Sequence, residues 1–326
     1  MKTLRILTFF AFSSHLSLAA PLPKSLGELR ELQAKVQKVV KTRTAATVSL
    51  VSTRNGASGS GIIVSADGLI LTAAHVIAGS AEMTVIFPDG RQAKAEVLGA
   101  NFTRDAAMAR LVGEETWPFA EIGDSKDLAV GDFVVAMGHP KGYDPTRRPP
   151  VRFGRVMTKG GLDFVTTDCT LIGGDSGGPL FDLEGRVVGI HSNIGPDRQI
   201  NNHAGLAGFK SSWDQMLAGK SWGSLGGDAR DPDRPVMGII LREEDGALVV
   251  EDVPEKSPAA KSGIKVGDKV TLIGGKEISR LAQLSEAFAD RLPGSEVSVT
   301  VERDGKTLKK SVTLAKLSEI YPNQRR

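Results

Sequence analysis

The chain has 326 residues, 40% hydrophobic and 24% charged, with 37 glycines and only 5% aromatics. That is the composition of an ordinary globular protein long enough for two domains. The formal net charge of +3 includes no basic block, which speaks against a nucleic-acid partner, and Cys169, the single cysteine, rules out an intramolecular disulfide.

Residues 1–19 read as a signal peptide. Lys2 and Arg5 precede the mostly apolar run Ile6 to Leu18, and Ser17-Leu18-Ala19 supplies small residues for cleavage. The run is shorter than the about 20 residues a membrane span needs, and an uncleaved anchor is the rival reading. Cleavage implies a periplasmic or secreted protein with a net charge of about +1, standing on its core alone in an oxidising compartment. Residues 24–41 carry Leu26, Leu29, Leu32, Val36, Val39 and Val40 on one face, which predicts a helix packed on the domain that follows.

From 42 to 216 the pattern changes to short strands. Val48–Val51, Gly61–Val64, Leu69–Thr72, Thr84–Phe87, Ala95–Leu98, Ala107–Leu111, Phe133–Met137, Phe164–Thr167, Pro179–Phe181 and Val187–Ser192 all read so. Turns such as Ala66-Asp67-Gly68 and Pro88-Asp89-Gly90 separate them, and no long helix is expected in this stretch. The fold class is mainly β, a barrel or sandwich. Residues 217–234, rich in Gly, Ser, Asp and Pro, read as a linker. Residues 235–317 form a second, small α+β unit with helices expected at Ala259–Ser262 and Arg280–Arg291, before a loose tail from Tyr321.

The chemistry sits in the first unit. Ser176 lies in Gly173-Gly174-Asp175-Ser176-Gly177-Gly178-Pro179, a turn that only small residues allow. A serine hydroxyl is a weak nucleophile, so a neutral imidazole must take its proton and a carboxylate must orient that imidazole. His75, in Thr72-Ala73-Ala74-His75-Val76, follows an apolar strand, and Asp105 precedes the small apolar run Ala106-Ala107-Met108-Ala109. Asp89 and Asp124 are the rival acids, each in a turn. The amides of Gly174 and Ser176 are placed to meet a developing oxyanion. Histidines lacking clustered acids or cysteines make no metal site, and the chemistry asks for no cofactor. Cys169 reads as a small buried residue.

These motifs resemble the HtrA/Deg family of trypsin-like serine proteases, with the match covering Val39 to Ser212. The resemblance implies a chymotrypsin-like double β-barrel with the triad His75, Asp105 and Ser176. It also implies an S1 pocket lined by Leu171, His191 and Ser192. Leu171 suits an aliphatic P1 side chain. His191 in Gly189-Ile190-His191 is similar to glutamyl endopeptidases and opens an acidic P1 reading, against which stands a hydrogen-bonded wall residue. His139 resembles a structural turn residue, and His203 shows no partner in the sequence.

One position departs from the family. HtrA proteins carry Asn where this chain has Asp175; digestive relatives carry Asp there, paired with an N-terminal amine freed by cleavage. No such start is visible here, so a cation from Lys141, Arg147, Arg148, Arg152 or Arg155 is expected beside Asp175.

The second unit, with Ser257-Pro258-Ala259-Ala260-Lys261-Ser262-Gly263 and Ile273-Gly274-Gly275-Lys276-Glu277-Ile278, resembles a PDZ domain. Met237, Gly238 and Ile239 would then hold the C-terminal carboxylate of a peptide that adds as a strand. By the same resemblance the substrates are misfolded or damaged exported proteins and the assembly is a homotrimer. The alternative is a PDZ-bearing chaperone or peptide-binding protein whose barrel is silent.

Overall fold

The computed structural model describes residues 21–195, 200–225 and 231–322; the expected signal peptide lies outside them, as do residues 323–326 of the expected tail. Helix α1 (Leu26–Arg43) starts where Ser25 accepts the Glu28 amide, with Glu28 in its first turn and Lys41 and Arg43 in its last, each sign matching the helix dipole. The predicted apolar face is divided along its length. Val39 is buried and Val36 packs on the first barrel, whereas Leu26 and Leu29 stand exposed.

The first barrel comprises β1 (Thr47–Ser52), β2 (Ser58–Ile63), β3 (Leu69–Thr72), β4 (Glu82–Ile86), β5 (Gln92–Asn101) and β6 (Ala106–Leu111). The order β5-β4-β1-β2-β3-β6 closes because β6 also pairs with β5, in the register Ala100↔Ala107 and Asn101↔Ala106. Short helix α2 (Ala74–Ile77) follows β3 directly. Closure leaves no edge strand unpaired, and Val48, Leu50, Ile62, Ile70, Met83 and Met108 fill the interior.

The second barrel comprises β7 (Phe133–Met137), β8 (Val151–Lys159), β9 (Phe164–Thr167), β10 (Pro179–Phe181), β11 (Val187–Ile194) and β12 (Asn201–Gly205), closed in the order β10-β11-β12-β9-β8-β7. Two of these strands escape the sequence pattern. Along β8 the alternation is inverted: Val151, Phe153 and Met157 face outward, while Gly154 and Val156 are buried. Strand β12 is polar yet buried, because Asn201 and His203 satisfy their polar atoms internally.

Helix α3 (Leu206–Leu217) was not expected; it buries Phe209 and Met216 against the first barrel. The expected linker is also partly ordered, since β13 (Ser221–Trp222) adds to β5 in parallel, with Ser221 opposite Ala100.

The second domain holds β14 (Pro235–Val236), β15 (Ile240–Glu244), β16 (Ala247–Asp252), β17 (Lys269–Ile273), β18 (Lys276–Glu277), β19 (Glu296–Arg303), β20 (Lys306–Thr313) and β21 (Ala315–Lys316). Its main sheet runs β15-β16-β17-β19-β20, with β18 on β17 and a separate β14–β21 pair. Its helices are α4 (Pro258–Ser262), α5 (Leu284–Phe288) and α6 (Leu317–Ile320). The sequence writes α4 plainly: Ser257 caps the Ala260 amide, Pro258 opens the helix, and Gly263 closes it at φ 79°. Helix α5 is much shorter than the expected 280–291. A 3-10 turn at Leu281–Gln283 precedes it, and beyond it Ala289 turns its carbonyl to donors of the first domain.

Candidate active site

Of the three expected catalytic residues, His75 and Asp105 are in direct contact, and Ser176 connects to them through Ser192, whose carbonyl accepts the Ser176 hydroxyl and whose own hydroxyl bonds Asp105. His75 comes from α2 and Asp105 from the β5–β6 turn, both on the first barrel; Ser176 comes from the loop before β10 on the second. Asp105 occupies the left-handed region at φ 53°, a conformation Asp tolerates better than most residues. There its carboxylate bonds His75 Nδ1 at 3.0 and 2.9 Å through its two oxygens, and Oδ1 also accepts the His75 amide at 3.0 Å. Ser192 Oγ donates to Asp105 Oδ2 at 2.5 Å. Burial works to lower the His75 pKa, but Asp105 outweighs it, and the net shift is upward. The rival acids are engaged elsewhere, Asp89 with Arg91 and Asp124 with Lys210.

Ser176 is tied to both barrels through its backbone. Ser60 N donates to Ser176 O at 2.7 Å, and Gly177 N donates to His191 O at 2.7 Å. Gly177 has φ 84°, and a Cβ there would stand 2.2 Å from Ser60 O and from Thr72 Oγ1, so the motif admits only glycine. The Ser176 hydroxyl donates to Ser192 O at 3.4 Å rather than to His75. Catalytic hydrogen bonds of this kind commonly tighten when substrate arrives. Among the described residues, the Gly174 and Ser176 amides donate to no acceptor within the chain. Gly174, at φ 99°, lies so close to the His139–Gly142 turn that a Cβ would be 2.5 Å from Lys141 N.

Asp175 is fully buried and finds the expected cation. Arg152, on β8, grips it with both ends of its guanidinium, Nη1 to Oδ1 at 3.1 Å and Nη2 to Oδ2 at 2.6 Å. Burial raises the Asp175 pKa, with Arg152 opposing that rise.

Of the expected S1 residues, Leu171 and Ser192 are buried beside the cleft, with the Leu171 amide held by Asn201 Oδ1 at 2.9 Å. His191, on which the acidic-P1 reading rests, lies inside the second barrel. His191 is wholly enclosed, and both ring nitrogens are taken, Nε2 by Met137 O at 3.0 Å and Nδ1 by His203 Nδ1 at 2.9 Å. Because Met137 O only accepts, His191 carries its proton on Nε2 and accepts from His203; Thr167 Oγ1 then donates to His203 Nε2 at 2.8 Å. Burial holds the His191 pKa far below its ordinary value and that of His203 down to about 3. Both ring nitrogens of His191 are thus engaged inside the barrel, and His203 has the partners its sequence context hid. His139 is buried against Thr47 O, and burial pushes the Cys169 thiol up to about 11, away from nucleophilic use.

In the second domain, Met237, Gly238 and Ile239 line an apolar cavity of about 250 Å³ together with Leu241, Leu284 and Phe288. It lies beside β15, an edge strand of its sheet, and Thr103 of the first barrel also lines it.

Sequence reasoning missed the residue between these two sites. Arg104, next to Asp105, has a side chain only 4% exposed. It bonds Asp290 through Nε at 2.7 Å and Nη2 at 2.9 Å, Glu286 through Nη2 at 3.0 Å, and Leu162 O through Nη1 at 2.9 Å. Asn101 Nδ2 and Trp222 Nε1 both donate to Ala289 O at 3.0 Å. The second domain is thus fastened to the turn that carries Asp105. No local signal in the sequence pairs residues so far apart.

Residues 59–190 match the family model of a trypsin-like peptidase domain, and residues 235–314 match that of a PDZ domain. The chain therefore joins a double-barrel peptidase fold to a PDZ domain. A probable periplasmic serine endoprotease, DegP-like, of Ectopseudomonas mendocina is 34% identical over 281 residues, 80% of this chain and 57% of that protein. The like-named protein of Bartonella henselae is 32% identical over 279 residues, 81% of this chain and 54% of that one. This chain spans little more than half the length of these relatives. Among solved structures, an HtrA-type protease, AlgW, with tripeptide superposes with TM-score 0.69 at 23% identity, over 86% of this chain and 96% of the other. A serine endoprotease from Yersinia pestis gives 0.66 at 23% identity, over 91% and 100%. The chain thus carries a trypsin-like peptidase domain followed by a PDZ domain, and over most of its length it is similar to the DegP-like serine endoproteases.

Proposed function

We propose that this protein is a serine endopeptidase of the bacterial envelope that cleaves misfolded or damaged exported proteins. One observation carries the reading. The Asp105 carboxylate bonds both the ring and the amide of His75 in the cleft where Ser176 is presented. In this mechanism Ser176 attacks the scissile carbonyl while His75 takes its proton and later returns it to the leaving amine. Asp105 holds the tautomer and stabilises the charged ring, and the Gly174 and Ser176 amides receive the oxyanion. Leu171, with exposed Ile172 beside it, favours an aliphatic P1 side chain.

The periplasmic assignment rests on the names of the relatives and the signal-like residues 1–19. Assembly as a homotrimer rests on family likeness, supported by the uncovered Leu22, Leu26 and Leu29 at the start of α1. A single-chain mass by light scattering would remove it. The PDZ groove is assigned a peptide C-terminus, with Gly238 and its neighbours on the carboxylate.

Casein hydrolysis by wild type and Ser176→Ala tests the activity. Loss of about 10⁴-fold or more in the variant is expected. Equal and negligible rates would leave the PDZ-bearing binding protein as the better reading.

A further inference from the structure

The turn that presents the nucleophile contains a buried charge whose partner comes from a strand 23 residues upstream. Asp175 sits between the two amides assigned to the oxyanion. Its Oδ2 accepts the Ile172 amide at 2.9 Å, its own amide donates to Ile172 O at 2.9 Å, and its carbonyl accepts Gly178 N at 2.8 Å. The carboxylate thus closes the turn from beneath. Gly138 leaves room for it, since a Cβ there would be 2.6 Å from Asp175 Oδ1. Two braces hold the top of the loop: Lys141 N donates to Gly173 O at 2.7 Å, and Ser60 Oγ donates to Gly174 O at 2.8 Å.

Within the Lys141–Arg155 stretch the structure singles out one cation. Arg147 is spent on Asp144 and Pro140 O, and Arg155 lies over Phe133 and bonds Gly131 O. Arg152 sits on β8 opposite Ala136 of β7, in the wall of the second barrel, and its side chain is 16% exposed. The anchor is therefore built as the barrel folds, and helix α1 precedes the first barrel without a break.

Resting on the peptidase reading above, we propose that Arg152 is a positioning residue for catalysis. Its two-pronged hold on Asp175 fixes the Gly174 and Ser176 amides toward the oxyanion, so the site is formed without a freed N-terminal amine. A guanidinium suits this task because its planar fork matches a carboxylate and its charge does not titrate in the working range. A buried carboxylate without that partner would be driven to protonate or to leave its place, and the turn would move with it.

Three variants decide the matter, each read in two ways. Amide hydrogen exchange over residues 171–178 reports the loop even in a protein that turns nothing over; kcat and KM on a peptide substrate report the reaction. Arg152→Leu is expected to speed exchange in the loop by about tenfold. It should lower kcat by about 100-fold, with KM changed by less than about threefold, as loss of an oxyanion donor does. Adding Asp175→Asn removes the stranded carboxylate and should recover about tenfold of the lost kcat. Arg152→Lys keeps the charge but not the fork, and a loss of about fivefold in kcat is expected.

If Arg152→Leu fails to fold, Arg152→Lys and the double variant carry the decision. Wild-type exchange and unchanged kcat in folded Arg152→Leu, or in Arg152→Lys standing in for it, overturn the proposal. So does a double variant that is folded and no faster than the folded single. Should wild type be no faster than Ser176→Ala, the peptidase reading falls, and the exchange measurement alone then rules on the anchor.

Discussion

At the scale of single residues, burial sets the chemistry as much as identity does. Five histidines are present, and one of them, His75, shifts upward because Asp105 lies against it. His139, His191 and His203 shift downward because they are enclosed. The His191–His203 pair has a consequence for stability. A histidine whose pKa is depressed on folding binds fewer protons in the native state than in the unfolded one. Stability from such a group is complete above the unfolded value near 6.5 and is lost as pH falls toward the folded value, about 3 for His203. For His203 this should cost about 2 kcal/mol between pH 6.5 and 5, and His191 moves stability in the same direction. Denaturant melts at those two pH values check this. A double His191→Val, His203→Val variant should lose most of the slope, and an unchanged slope would show that the pair is not buried as neutral imidazoles. The proposed triad residues His75, Asp105 and Ser176 stand out in the sequence because their motifs are local and dense in small residues. Arg152 was legible only as one of five cations, since choosing among them requires the strand register that brings β8 beneath the Ser176 turn.

Elements show where periodicity speaks and where it misleads. Strands with inward apolar residues, such as Phe133–Met137 and Leu69–Thr72, appear where alternation or a short apolar run places them. Strand β8 does not, because Val151, Phe153 and Met157 face out and its inner face holds Arg152 and Gly154 beside the single buried apolar residue Val156. The strand carrying the Asp175 anchor is thus one the hydrophobic pattern cannot announce. The β5–β6 turn is the other telling element. It carries Asp105 toward His75 and, one residue earlier, Arg104 toward Asp290 and Glu286. Breaking a buried ion pair by removing one partner costs about 3 kcal/mol or more. Arg104→Met is therefore expected to lower the denaturant midpoint. It should also cut kcat about tenfold, because the backbone of Asp105 loses its neighbour's anchor. Wild-type kcat in that variant, with stability reduced, would separate the domain contact from the catalytic acid.

Across the whole molecule, the PDZ cavity borders the turn that carries Asp105. The PDZ cavity reaches from Met237, Gly238 and Ile239 to Thr103, two residues before Asp105, and Leu284 and Phe288 of α5 line it. The same helical segment carries Glu286, and Asp290 follows it, both on Arg104. A peptide with a free, apolar C-terminus is expected to bind there, and its C-terminal amide about tenfold more weakly, since the loop amides recognise the carboxylate. Titration calorimetry with the two peptides checks the assignment, and equal affinities would remove the carboxylate from the recognition.

The sequence by itself determined the two-domain order, the β class of the first domain, the residue types of the triad and the need of Asp175 for a cation. Each is written in a short window, where glycine, proline and apolar spacing act within a few residues of one another. Only the tertiary structure decided that Arg152 is that cation, that His191 is enclosed with both ring nitrogens bonded, and that Arg104 fastens the PDZ domain behind Asp105. Those outcomes depend on closing two barrels and docking a third body. Both acts bring together side chains far apart in the chain and set the burial that fixes their charge.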